Sequence, residues 1–215
     1  MSRQVDKEHY DFSKYCNTSR FISYWHQLDE IIKLNPQSVL EVGVGDKVVA
    51  SYLKNNTDIV YTSLDIAEDL KPDIVGDIEK MDLADNSFDI ICAFEVLEHL
   101  QFDDFDKTLR ELSRVSKNYV VLSLPHWGRH FSIEIRLPFL GKIKWQYKFN
   151  FLPIKHKFNG QHYWEIGKAG YSINKIRSKI QEAGLNIEKD YVSFGSPYHH
   201  FFILKKKINV WNKWI

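Results

Sequence analysis

The chain is poor in cysteine, methionine and proline, with two, two and six among 215 residues. Cys16 and Cys92 alone leave no disulfide framework and no thiolate metal cluster, and they point to a reduced, cytoplasmic setting. No apolar run is long enough to span a bilayer, and the opening MSRQVDKEHYDF lacks the apolar stretch of a signal peptide, so no transmembrane segment is expected. A dominant charge is also missing, because the formal charge is +1. That balance conceals a division: residues 1–116 carry 12 Lys and Arg against 23 Asp and Glu, and residues 117–215 carry 17 against 5. Such asymmetry suits one half that handles an anionic partner, and equally a surface arranged for solubility.

What is present is 44% hydrophobic and 14% aromatic, enough to bury one substantial core, and one domain over 1–215 with an insertion at 126–168 is the economical reading. The stretch SVLEVGVGD, residues 38–46, organises the rest. Val39, Leu40 and Val42 suit a strand buried on both faces, Gly43 and Gly45 follow at once, and Val48, Val49, Ala50, Tyr52 and Leu53 read as a helix. A strand feeding a helix through glycines lets the backbone approach a ligand and aims helix N–H groups at it. Asp65 ends a second apolar run (IVYTSL, 59–64) about 20 residues on, where an acidic side chain accepts hydrogen bonds from ribose hydroxyls. A plain strand-to-helix turn followed by a surface Asp remains the bland alternative.

With Glu41 leading the glycine motif, and with the passage GDIEKMDLADNSFDIICAFEVLEHL at 76–100, the sequence resembles the class I S-adenosylmethionine-dependent methyltransferases, in particular the type 11 group. The resemblance implies a Rossmann-like, doubly wound, seven-stranded and mostly parallel α/β sheet with an antiparallel last strand. It implies S-adenosylmethionine held by Glu41, Gly43, Gly45, Asp65 and the adjoining Ile66, Asp77, Ile78, Phe94 and Glu95. One departure is Lys47, which stands at the family's third glycine and bears on cofactor affinity.

Asn17, Thr18 and Ser19 offer caps for a helix with Phe21, Tyr24, Trp25, Leu28, Ile31 and Ile32 along one core-facing stripe. The resemblance places an N-terminal arm, within residues 1–16, over the cofactor, whereas a frayed terminus is the reading for at least the first few residues. DIVGDI (73–78) and FDIICAF (88–94) read as the third and fourth strands, and YVVLSL (119–124) as the fifth, closed by Pro125. His99 reads either as a general base or as a brace for the turn after strand four, and Glu98 as solvated. Asp103 and Asp104 can start a helix. With His99 and Asp106 they match no metal-ligand spacing, so no metal is expected.

Residues 126–168 hold ten aromatics and eight Lys and Arg against two Glu with no clear long helix, and read as an irregular lid or substrate wall. The composition suits a planar or anionic small molecule, and also single-stranded nucleic acid, a membrane surface or a small accessory core. His126, His130 and His162 are candidate bases or wall residues there. Residues 186–194 and 198–205 flank Gly195, Ser196 and Pro197 as an antiparallel hairpin, and the basic tail KKKINVWNKWI carries Trp211 and Trp214.

The expectation is methyl transfer from S-adenosylmethionine to an oxygen or nitrogen of a small anionic or aromatic molecule, by a monomer or homodimer. His99, His126 and His130 are the candidate catalytic groups. A non-catalytic binding module and a nucleic-acid methyltransferase are the alternatives.

Overall fold

The computed structural model describes residues 7–139 and 141–207, and the tail tryptophans lie outside them. Among the described residues, nine strands and five α-helices alternate along the first two thirds and then change pattern. Strands β1 (Ser38–Val42), β2 (Val60–Asp65), β3 (Ile74–Val75), β4 (Phe88–Phe94) and β5 (Ser116–Pro125) are parallel neighbours in the order β3-β2-β1-β4-β5. The sheet is completed by β9 (His199–Lys206), antiparallel to β5, and β8 (Leu185–Val192) beyond it. This is the seven-stranded sheet with one reversed strand that the sequence predicts. Its third strand is two residues long rather than six.

Period-two alternation assigns each strand to two cores. Ile91 and Ala93 of β4 with Val120, Leu122 and Leu124 of β5 face helices α4 (Phe105–Val115) and α5 (Ile173–Glu182). Ile90, Cys92 and Phe94 with Val121 face α2 (Thr18–Lys33) and α3 (Val48–Asn56). Both faces are therefore covered, as parallel sheets require. A short α1 (Phe12–Tyr15) precedes α2, whose first N–H groups are capped by the Asn17 side chain bonding Arg20 N at 3.0 Å.

The α2 stripe is offset from the predicted one. Phe21, Trp25 and Ile32 are exposed, while Ser23, Tyr24, Gln27, Glu30 and Ile31 are buried. The polar members of that face have partners: Gln27 reaches Ser23, and Glu30 receives Lys189 Nζ at 2.5 Å and the Tyr191 hydroxyl at 2.8 Å from β8. Hydrophobic periodicity could not register a face held by hydrogen bonds.

The insertion is more regular than expected. Strands β6 (Arg129–Leu137) and β7 (Gly141–Phe149) pair as an antiparallel ribbon. Phe131, Ile133, Ile135, Ile143, Trp145 and Tyr147 lie along one solvent-exposed face of it. The returning chain then joins the core. Trp164 is wholly buried against Phe102, Phe105 and Tyr171, and Ile166 N bonds Pro125 O at 3.0 Å. Among the described residues no helix is long and apolar enough to cross a membrane.

Candidate active site

Register levels the carboxyl ends of the central strands, since Val42 pairs with Leu64 on one side and Ala93 on the other. The strand order reverses between β1 and β4, and in open α/β sheets ligands bind outside the strand ends at that point. A cavity of about 190 Å³ opens there, lined by Gly43, Gly45, Asp65, Ile66, Ile78, Phe94, Glu95 and His99 among others. Eight of the sequence-predicted site residues thus meet at one place.

The loop after β1 is built for close approach. Gly43 has φ +83°, and a Cβ on it would lie 2.4 Å from Val96 Cγ2, so a side chain there collides with the turn after β4. Gly43 N bonds Leu64 O at 2.8 Å, and Asp65 locks the neighbouring turn by accepting Val44 N–H at 2.9 Å and Ala67 N–H at 2.8 Å. Each carboxylate oxygen keeps a second acceptor site for a hydroxyl. Lys47 adopts φ +66° in the left-handed region, the conformation the missing glycine would favour, and its Nζ turns away to Lys71 O at 3.1 Å. It does not line the cavity.

Glu41 and Asp77 stand apart from the other expected cofactor residues. Glu41 is buried beneath the loop, beside a smaller adjoining pocket, and accepts the Tyr61 hydroxyl. Burial pushes its carboxyl up to about 8, opposed by that hydrogen bond. Asp77 lies between the lining residues Gly76 and Ile78 and accepts Glu79 N–H at 2.9 Å, without lining the cavity itself.

The opposite wall comes from distant segments. Tyr10 and Tyr15 of the N-terminal arm and Arg20 of α2 close one side, with the Arg20 guanidinium 4.3 Å from the Tyr15 ring centroid. Burial lifts the Tyr15 phenol to about 12. Gln161, His162 and Tyr198 supply the rest, brought in where Tyr163 N bonds Glu98 O at 2.9 Å. The arm therefore lies over the cavity as the resemblance implies, and Arg20, Gln161 and Tyr198 carry no motif that singles them out in sequence.

At the end of β4, Glu95 takes φ +55°, a strained conformation of the kind that collects at functional sites. Its Oε2 lies 3.7 Å from His199 Nε2. Glu98 is not solvated as expected but wholly buried, and burial followed by the nearby Glu95 carboxylate holds its carboxyl well above the usual range. His99 bonds the Gln161 carbonyl through Nδ1 at 3.1 Å. Burial, then the neighbouring His162, lowers its imidazole to about 4, so it is neutral and weakly basic at physiological pH.

Two of the three expected catalytic histidines are elsewhere. His126 Nδ1 meets His200 Nδ1 at 2.9 Å, and His200 Nε2 meets Asp190 Oδ1 at 3.0 Å, a network that does not line the cavity. His130 is exposed on the ribbon. The reason is topological: after Pro125 the chain turns onto the ribbon, and the cavity wall is formed only by its return.

Comparison with known proteins agrees with this geometry. Residues 40–123 match the methyltransferase-domain family of type 11. The chain superposes on a Burkholderia thailandensis 1,6-didemethyltoxoflavin-N1-methyltransferase, solved with 1,6-didemethyltoxoflavin and S-adenosylhomocysteine, at TM-score 0.60 and 12% identity, over 94% of this chain and 83% of that one. It also superposes on the magnesium protoporphyrin IX methyltransferase of Synechocystis with bound S-adenosylhomocysteine, at TM-score 0.60 and 11% identity, over 96% and 90% of the two chains. A third similar structure is the CcbJ methyltransferase of Streptomyces caelestis, at TM-score 0.59 and 12% identity, over 93% and 96%. No curated protein matches the sequence. Residues 40–123 thus match the type 11 methyltransferase domain, and the chain shares the fold of these methyltransferases.

Proposed function

We propose that this chain is a class I S-adenosylmethionine-dependent methyltransferase that methylates an oxygen or nitrogen of a small, anionic or aromatic molecule, within one domain over 1–215 whose returning insertion walls the acceptor side. The observation that carries this reading is the division of the cavity. Its strand-end side offers backbone, a carboxylate and apolar contacts, and its other side offers rings, imidazoles and Arg20.

The residues fit S-adenosylmethionine: the space before Gly43 is one that a side chain would close, and Asp65 is held with acceptor capacity to spare for ribose hydroxyls. Ile66 and Ile78 would flank the adenine, and Asp77 stands beside them for its amino group. Phe94 and Glu95 would meet the methionine part, with Glu41 supporting the loop from beneath. The bound sulfonium supplies an activated methyl, so the protein's task is to align the acceptor and exclude water. Tyr10 and Tyr15 do the excluding, and Arg20 supplies a positive charge for a carboxylate.

A small acceptor is favoured over nucleic acid because the ribbon's cations are largely engaged: Lys142 lies 3.1 Å and Lys144 3.5 Å from Glu134, and Lys148 donates to the His126 and Pro197 carbonyls. Lys47, turned away from the cavity, leaves the pocket open and argues against a non-catalytic module. The free thiols Cys16 and Cys92 suit a cytoplasmic setting. The test is methyl transfer from labelled S-adenosylmethionine to a panel of phenols, heteroaromatic amines and carboxylates. Transfer to at least one is expected, and transfer only to RNA or DNA, with binding that weakens steeply with salt, overturns the reading.

A further inference from the structure

We propose that Glu98, His99 and His162 form a binding site for a divalent first-row transition-metal ion on the acceptor side of the cavity. One ligand atom from each of the three lies within 4.8 Å of the others. Two imidazoles and a carboxylate suit manganese, cobalt or zinc, and leave positions open for an oxygen ligand. Tetrahedral or octahedral bonds of about 2.0–2.2 Å place neighbouring ligand atoms roughly 3–3.5 Å apart. Glu98 Oε1 and His162 Nε2, now 3.9 Å apart, need close only a little.

The independent observation is Glu98 itself. It is wholly buried, and neither carboxylate oxygen has a hydrogen-bond partner among the described residues. A buried carboxyl with neither oxygen partnered has lost its water contacts without replacement, and a cation that joins it supplies the missing partner and holds it in the ionised form. Glu95 Oε1 beside it is likewise buried without a partner. A hydrogen bond between Glu98 and His162 does not answer the need, since 3.9 Å is too long.

His162 is prepared as a ligand by its outer contacts. Its Nδ1 lies 3.1 Å from Glu165 Oε1, an oxygen that also accepts the Tyr198 hydroxyl at 2.8 Å. A carboxylate can only accept, so the ring proton sits on Nδ1 and the Nε2 lone pair faces Glu98. Carboxylate, imidazole and metal in sequence is a recurrent arrangement that fixes the tautomer and strengthens the ligand. The Gln161 carbonyl orients the His99 ring in a similar way. The ion site stands without the methyl-transfer reading. Its use, holding an oxygen of the acceptor within the cavity, rests on that reading.

Titration of chelator-treated chain with Co²⁺, followed by calorimetry and visible absorption, tests the site. One ion per chain is expected, with a rise in melting temperature. Affinity should fall more than about 100-fold in His162→Ala and in Glu98→Gln, and roughly 10–100-fold in Glu165→Gln. S-Adenosylhomocysteine binding measured on the same samples reports an intact fold, and Glu98→Gln, nearly isosteric, guards against collapse of the alanine variant. Wild-type chain that binds S-adenosylhomocysteine but no Co²⁺ overturns the proposal, as does Co²⁺ binding unchanged in His162→Ala and Glu98→Gln, the mark of an adventitious ion. Stoichiometric, substitution-sensitive Co²⁺ binding without S-adenosylhomocysteine binding upholds the ion site and sinks the methyl-transfer reading.

Discussion

The two walls of the cavity are built on different principles. The strand-end wall is largely backbone and short turns tied by local bonds: Gly43 N on Leu64 O, Val44 N and Ala67 N on Asp65. The opposite wall is side chains gathered from residues 10–20, 99, 161–162 and 198, and the buried carboxyl of Glu98 beside it keeps both oxygens unpartnered. A locally satisfied wall is rigid without its ligand, whereas the other holds groups whose partners come with a ligand. On the proposed function, that difference separates holding a constant cofactor from choosing a particular acceptor.

Substitution at Gly43 gives the sharpest contrast. Gly43→Val adds a side chain where even a Cβ meets Val96 at 2.4 Å, at a φ that β-branched residues avoid. S-Adenosylhomocysteine affinity, read by calorimetry, is expected to drop at least roughly 100-fold, about 2.7 kcal/mol. On the other wall, His162→Ala should lower kcat at least roughly 10-fold and leave that affinity within about threefold. Equal losses of affinity in both variants would erase the distinction between the walls.

Asp65→Ala removes the lock on the loop and the ribose acceptor together, and is expected to weaken S-adenosylhomocysteine roughly 10–100-fold, about 1–3 kcal/mol. Glu41 supplies a pH-dependent version of the comparison. Its carboxyl titrates near 8 in the folded chain against an ordinary 4.5. The folded state therefore binds more protons across that interval, so this contribution to stability is complete below about pH 4.5 and is lost as pH rises toward 8. Glu41→Gln keeps an acceptor for Tyr61, should flatten that decline in chemical denaturation, and should stabilise the chain at pH 8 by about 1–3 kcal/mol. A decline unchanged by the substitution would mean that Glu41 is ionised and paired.

The smallest effect is at the helix start. Lys47→Gly relieves a left-handed lysine and is expected to gain about 1 kcal/mol of stability with little change in cofactor affinity. A large gain in affinity would show instead that the lysine weakens the pocket.

The strand-end wall was legible because its chemistry is local. Apolar run, glycines and an acidic tip recur within residues 39–66, and Phe94 and Glu95 end the next strand. The acceptor wall was not, because His162 reaches His99 only through the ribbon, the docked Trp164 and a parallel bridge between His126 and Ile166. His126 and His130 stood nearer the strand end in sequence and were carried off by that ribbon. The ribbon had a signal of its own, the strict alternation of Phe131, Ile133, Ile135 and Leu137 with polar residues, which aromatic and basic composition obscured. Glu98 gave none, since only coordinates distinguish a solvated glutamate from a buried one.

The most direct measurement is a crystal structure of the chain with S-adenosylhomocysteine. The ribose hydroxyls should bond Asp65, the adenine should lie by Ile66 and Ile78, and the sulfur should face His99 and His162. A ligand bound with its ribose away from Asp65, or with its sulfur turned from the histidine wall, would contradict the division of the cavity described above.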